Sequence, residues 1–236
     1  MKKPRVLITP PTLDRHAGPY YDVLTAAGCE VIYPSLEAEL MRPEVLVEHL
    51  QGIDAVLCSV EPYSRDVLKR SNLRCVARVG VGYDSVDVAA ATDFSVPVCI
   101  TPGTNENSVA EQAFALIFSV FREIAVRDGE IRAGGWRRNS VRRLAGNTLG
   151  LVGLGRIGKA MTPRAHGLGL KVVAYDPYAD KSFAATHDVR LCSFEELLAV
   201  SDVVSLHMPC TAETADIINR RTLALMRAGR ESTSTN

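Results

Sequence analysis

Residues 148–158 read TLGLVGLGRIG: an apolar run through Val152, then Gly153-Leu154-Gly155-Arg156-Ile157-Gly158. Each of the three glycines has its own physical purpose. Gly153 permits a tight turn out of a strand, Gly155 lets the backbone approach a pyrophosphate, and Gly158 lets the next helix pack closely on that strand. The first turn of such a helix offers unpaired N–H groups and a partial positive charge, so Arg156 and Ile157 join the glycines as candidate phosphate contacts. The spacing downstream fits the same purpose. A second strand-like run covers 171–175, and Asp176 stands eighteen residues past Gly158. A carboxylate there accepts hydrogen bonds from an adenosine ribose and repels an added 2′-phosphate, which points to NAD rather than NADP.

Working outward, a helix over 156–168 is followed by a strand at 189–191, a helix over 194–200 and a strand over 202–207. His207 then sits at the carboxyl end of a strand, where open α/β sheets bind ligands. Upstream, strand-like runs at 5–9, 30–33, 55–58, 75–79 and 96–100 alternate with helix-like stretches at 20–27, 43–50, 64–70 and 86–92. Alternation of this kind predicts parallel sheets covered by helices on both faces. Between the two series, Val109, Phe114, Ile117, Phe121 and Ile124 recur at helical spacing and predict one helix from about 107 to 132. Ser108 and Glu111 match a capping box at its start, and Ala133-Gly134-Gly135 stops it.

The chain has 236 residues, 47% hydrophobic and 23% charged, with 27 basic and 27 acidic side chains. Zero net charge removes the drive toward phosphate backbones or anionic lipid, so nucleic acid is not an expected partner. No apolar run reaches the ~20 residues of a membrane span. Lys2-Lys3-Pro4 leads directly into a strand with no apolar leader segment, and the expectation is a cytoplasmic protein. The six cysteines form no C-x-x-C pair and read as small core residues rather than metal ligands. His16, His49, His166 and His187 fit no motif and read as surface or locally satisfied groups.

Several stretches together resemble the D-isomer-specific 2-hydroxyacid dehydrogenases, phosphoglycerate dehydrogenases and hydroxypyruvate reductases among them. Arg78-Val79-Gly80-Val81-Gly82-Tyr83-Asp84 resembles that family's substrate loop, Thr101-Pro102-Gly103-Thr104-Asn105 its crossover between domains, and Gly134-Gly135-Trp136 the loop before its cofactor domain. His207-Met208-Pro209-Cys210-Thr211 is similar to the turn passing the adenosine. The resemblance implies a flavodoxin-like substrate domain over 1–101 and an incomplete Rossmann NAD-binding domain over 102–236. It implies hydride transfer between NAD(H) and a small 2-hydroxy acid. Val79, Gly80 and Val81 would hold the substrate carboxylate, Asn105 would lie near the nicotinamide, and His207, Pro209 and Thr214 would contact the cofactor. It also implies a homodimer through the helix near Asn107.

The family's catalytic Arg, Glu and His find no match before residue 236, so the expectation is an oxidoreductase impaired by truncation, or else a non-catalytic nucleotide-binding or dimerising remnant. Residues 230–236 carry no apolar side chain and are not expected to form a strand. The strand at 202–207 would then be an uncovered edge.

Overall fold

The computed structural model describes residues 2–35, 38–211 and 213–227, together with the backbone of 231–234. The chain divides into two compact units, residues 1–104 and 105–236.

In the first unit, strands β1 (Arg5–Ile8), β2 (Glu30–Ile32), β3 (Ala55–Cys58), β4 (Cys75–Arg78) and β5 (Val98–Cys99) alternate with helices α1 (Pro19–Ala26), α2 (Pro43–His49), α3 (Arg65–Lys69) and α4 (Val88–Asp93). All neighbours pair parallel in the order β2-β1-β3-β4-β5, the flavodoxin-like arrangement. The last strand is two residues, against the five expected from 96–100. Ser64 and Asp87 start α3 and α4 by accepting the N–H of Val67 and Ala90 on their side-chain oxygens, as short polar residues at that position do. Leu7, Leu46, Leu50, Val56 and Val76 fill the core between the sheet and its helices.

The second unit departs from expectation at its start. The stretch from 107 to 132 is two helices, α5 (Glu106–Phe121) and α6 (Ile124–Arg132), because Glu123 turns left-handed at φ 52° and breaks the i→i−4 ladder. The expected capping box does not form either. The helix begins at Glu106, which puts Ser108 and Glu111 inside it; the Glu111 carboxylate lies 3.5 Å from Arg164 instead. The stop signal reads true: Gly134 takes φ 79° and Gly135 N–H bonds Glu130 C=O at 2.8 Å, closing α6.

Then come β6 (Thr148–Val152), α7 (Arg156–Gly167), β7 (Lys171–Tyr175), α8 (Lys181–Thr186), β8 (Val189–Leu191), α9 (Phe194–Val200), β9 (Val203–Leu206), α10 (Arg220–Leu223) and β10 (Glu231–Ser234). The sheet order is β10-β9-β6-β7-β8, all parallel, which is the Rossmann order 3-2-1-4-5. Ile117, Leu151 and Met161 pack on one face and Val173, Leu197 and Val204 on the other, so β6 and its neighbours are buried on both sides.

β10 overturns the expectation of an uncovered edge. Glu231–Ser234 lie in register with Val203–Leu206, because strand pairing is made by backbone N–H and C=O groups and a short edge strand tolerates polar side chains. The cysteines also depart from expectation: only Cys58 is buried, while Cys99 and Cys210 are exposed. Among the described residues no helix is long and apolar enough to cross a membrane.

Candidate nucleotide and carboxylate sites

The glycine loop of the second unit owes its shape to two close approaches. Gly153 has φ 102°, and a Cβ there would lie 2.6 Å from the carbonyl oxygen of His207. A Cβ on Gly158 would lie 2.4 Å from the carbonyl oxygen of Gly153. Both positions therefore admit only glycine without movement of backbone. Gly155 differs, with open space around the place a Cβ would take. It precedes α7, and the N–H groups of Gly155, Arg156 and Ile157 have no partner among the described residues. Arg156 is exposed beside them. Unpaired amides, a helix N-terminus, a guanidinium and an open cradle fit a pyrophosphate.

Asp176 stands just past β7, beside this loop. Its Oδ2 accepts the Leu154 N–H at 2.8 Å and its Oδ1 accepts the Tyr178 N–H at 2.8 Å. The carboxylate thus braces the glycine loop from outside, and each oxygen keeps lone-pair capacity for a ribose hydroxyl.

On the other side of β6, His207 follows β9, its N–H bonded to Val152 C=O. Its Nε2 lies 2.8 Å from the hydroxyl of the fully buried Ser205. Burial pushes the imidazole down from 6.5 to about 4, so at neutral pH it is uncharged. Beyond it, Thr214 Oγ1 donates to Pro209 C=O at 2.6 Å and accepts Thr211 N–H at 2.8 Å, knotting the loop that carries Pro209. Gly153, Gly155, Arg156, Ile157, Gly158, Asp176 and His207 so gather at the carboxyl ends of β6, β7 and β9, and the Pro209–Thr214 turn continues from the last of these.

In the first unit the loop after β4 is largely self-bonded. Val79 N–H donates to Cys58 C=O at 2.8 Å, and Gly80 N–H donates to Thr101 Oγ1 at 2.9 Å. Of the three residues the resemblance assigns to a carboxylate, only Val81 keeps an N–H with no partner among the described residues; Gly82, next to it, keeps another. Arg78 lies against Gly80, and its Nε is buried with no partner. Asn105 belongs to the second unit, as the residue before α5, and its side chain makes no capping bond.

Sequence reading missed the groups that hold these residues. Ser205 could have been found from strand periodicity, since positions 205 and 207 share a face. Thr101 stands in a quoted motif, but nothing in its spacing ties it to Gly80. Three of the other histidines are satisfied locally: His49 and His187 bond carbonyls one helical turn back, and His166 bonds the carbonyl of His187; the His16 ring packs against Tyr21 and Tyr33.

Residues 114–230 match the family model for the NAD binding domain of the D-isomer specific 2-hydroxyacid dehydrogenases. A chloroplastic D-3-phosphoglycerate dehydrogenase of Arabidopsis thaliana is 41% identical over 235 residues, which span 96% of this chain and 38% of that protein. The chain belongs to the D-isomer-specific 2-hydroxyacid dehydrogenase family. The glyoxylate reductase of Thermococcus litoralis is 36% identical over 221 residues, covering 85% of this chain and 66% of that enzyme. Among solved structures, a glyoxylate reductase from Paecilomyes thermophila superimposes with a TM-score of 0.83 at 25% identity, covering 99% of this chain and 74% of that one. Against the curated phosphoglycerate dehydrogenases it matches, this family member spans little more than a third of their length.

Proposed function

We propose that the chain binds NAD(H) on its second unit and a small 2-hydroxy acid on its first, as part of a dehydrogenase that interconverts 2-hydroxy and 2-keto acids. The observation that carries this is the open cradle at Gly155, bordered by three unpaired amides and braced by Asp176. The nucleotide, when bound, supplies the acceptor or donor of hydride. The protein's own groups bind and orient the two molecules. Gly155, Arg156 and Ile157 receive the pyrophosphate, Asp176 takes the ribose hydroxyls, and neutral His207, Pro209 and Thr214 line the adenosine side. Asn105 is proposed to lie near the nicotinamide. Val81, with Arg78 behind it, orients the substrate carboxylate, while Val79 and Gly80 keep the loop in shape.

The same reading includes a homodimer. Leu116, Val120, Ile124, Val126 and Ile131 on α5 and α6 are exposed, and a second copy would cover them. Light scattering at micromolar concentration checks this, and a monomer would count against it. The free thiols suit a reducing, cytoplasmic compartment.

Titration with NADH and NADPH, followed by nicotinamide fluorescence, tests the nucleotide site. The wild type is expected to prefer NADH, and Asp176→Ala to narrow that preference by about tenfold. Preference of the wild type for NADPH would overturn the assignment. An NADH-oxidation assay with glyoxylate and hydroxypyruvate tests the reaction. Nucleotide binding without turnover would instead favour a nucleotide-binding module.

A further inference from the structure

A cleft of about 510 Å³ lies at the carboxyl ends of β2, β1 and β3 in the first unit, with Thr9, Asp14, Arg15, Glu39 and Glu61 in its wall. The carboxylate loop follows the neighbouring strand β4. β3 and β4 are neighbours, and Val79 N–H is bonded to Cys58 C=O, so the loops carrying Glu61 and Val81 leave the sheet side by side.

Two polar groups in that wall are notable. Glu61 is only 6% exposed; its Oε2 accepts Ser59 N–H at 2.8 Å. Thr9 Oγ1 is buried and has no partner among the described residues. A buried acceptor and an unmet hydroxyl call for a ligand with hydroxyl groups. The charges in the wall argue in the same direction. Its one cation among the described residues, Arg15, donates to Pro34 C=O at 2.8 Å and lies 5.3 Å from the Tyr33 ring centre, both of them parts of the same wall. Among the described residues three carboxylates, Asp14, Glu39 and Glu61, line the cleft against that single cation, and Glu39 is paired with Arg42 at 3.1 Å. A phosphate dianion beside buried Glu61 would add like charge to a wall that, among the described residues, already holds more carboxylates than cations.

We propose that Glu61 is a specificity-determining residue, which accepts a hydroxyl at the far end of a 2-hydroxy acid whose carboxylate is held at Val81, and which excludes substrates carrying a phosphate there. This rests on the dehydrogenase reading above. Cys58 closes β3 and accepts Val79 N–H on its C=O; burial pushes its thiol up to about 12, Glu61 adds to the rise and Arg78 opposes it. The site thus has a cationic end, at Arg78, and an anionic end, at Glu61.

D-glycerate and D-3-phosphoglycerate differ only by the phosphate, so they are the probes. Each is titrated into the full chain and followed by ligand-observed NMR, for the wild type, Glu61→Gln and Glu61→Asp, with NADH titrated in parallel. Glu61→Gln keeps an oxygen for Ser59 N–H, and Glu61→Asp keeps the charge. In the wild type D-glycerate should bind at least about tenfold more tightly than its phosphate ester. Glu61→Gln should shrink that ratio by about tenfold, through a gain for the ester, and Glu61→Asp should retain it. A wild type that prefers the ester, or a ratio unmoved in Glu61→Gln, would overturn the assignment of Glu61 and leave the dehydrogenase reading standing. If neither acid binds while NADH does, both fall.

Discussion

The chain holds two glycine loops that each follow a parallel strand, 79–82 after β4 and 153–158 after β6, and they solve the problem of backbone amides in opposite ways. In the first, the amides of Val79 and Gly80 are spent on Cys58 and Thr101, which leaves a small opening at Val81 and Gly82. In the second, the amides at the helix start stay free, and the loop is kept in shape from outside by Asp176 on Leu154 and by glycine contacts too close for a Cβ. A loop that satisfies itself can present a narrow donor to a carboxylate. A loop braced by a neighbour can hold several donors open for a pyrophosphate.

The largest effect expected from breaking this contrast is at Gly153. Gly153→Ala combines a left-handed φ with a clash against the carbonyl of His207, and should cost roughly 3 kcal/mol in urea denaturation together with loss of NADH binding. Gly155→Ala, two residues on, should cost no more than about 0.5 kcal/mol yet weaken NADH about tenfold, since its methyl fills the cradle. Equal stability losses in the two variants would mean that the loop is not shaped by those contacts.

His207 sharpens the comparison next, because it borders only the second loop. Its folded pKa of about 4 lies below the ordinary 6.5, so between those values the unfolded chain binds the extra proton. Stability should therefore fall as pH drops from 6.5 toward 4, by about 1–3 kcal/mol from this group. Denaturation curves across that range should be flatter for His207→Gln than for the wild type; parallel curves would refute the shift.

The self-bonded loop is expected to change stability alone. Thr101→Val removes the hydroxyl that accepts Gly80 N–H and should cost about 1 kcal/mol in the same denaturation assay. NADH affinity should not change. A variant that lost NADH binding would show that the two loops are not independent.

Most of the sheet architecture is legible in the sequence, because β-branched runs and turn residues mark the strands of both units. The run 148–158 and Asp176 are legible for a further reason: glycine is demanded by backbone geometry that no other residue meets. The break at Glu123 is not legible, since glutamate carries no preference for a left-handed turn and the apolar spacing continues across it. β10 is hidden because a polar segment gives no strand pattern, although its backbone pairs with β9. Gly80 marks its own turn, but its partner Thr101 lies on the far side of β5. Contacts between distant loops leave no local trace, which is why Glu61, singled out only by its burial, escapes a reading by motif.

The order of the strands in each sheet also bears on synthesis. Every strand of the first sheet lies within residues 5–99, and β1 meets β3, then β3 meets β4 and β4 meets β5, each soon after it is made. A nascent chain can complete that sheet while the rest is still in the ribosome. The second sheet has a similar but slightly longer wait, since Val6 meets Ala55 and Leu149 meets Val203. β6 is its middle strand, and Leu149 waits for Val203 across α7, β7, α8, β8 and α9 before its second edge is covered. Until then an apolar strand edge stands open on the growing chain, and this is the interval in which a chaperone would have most to protect.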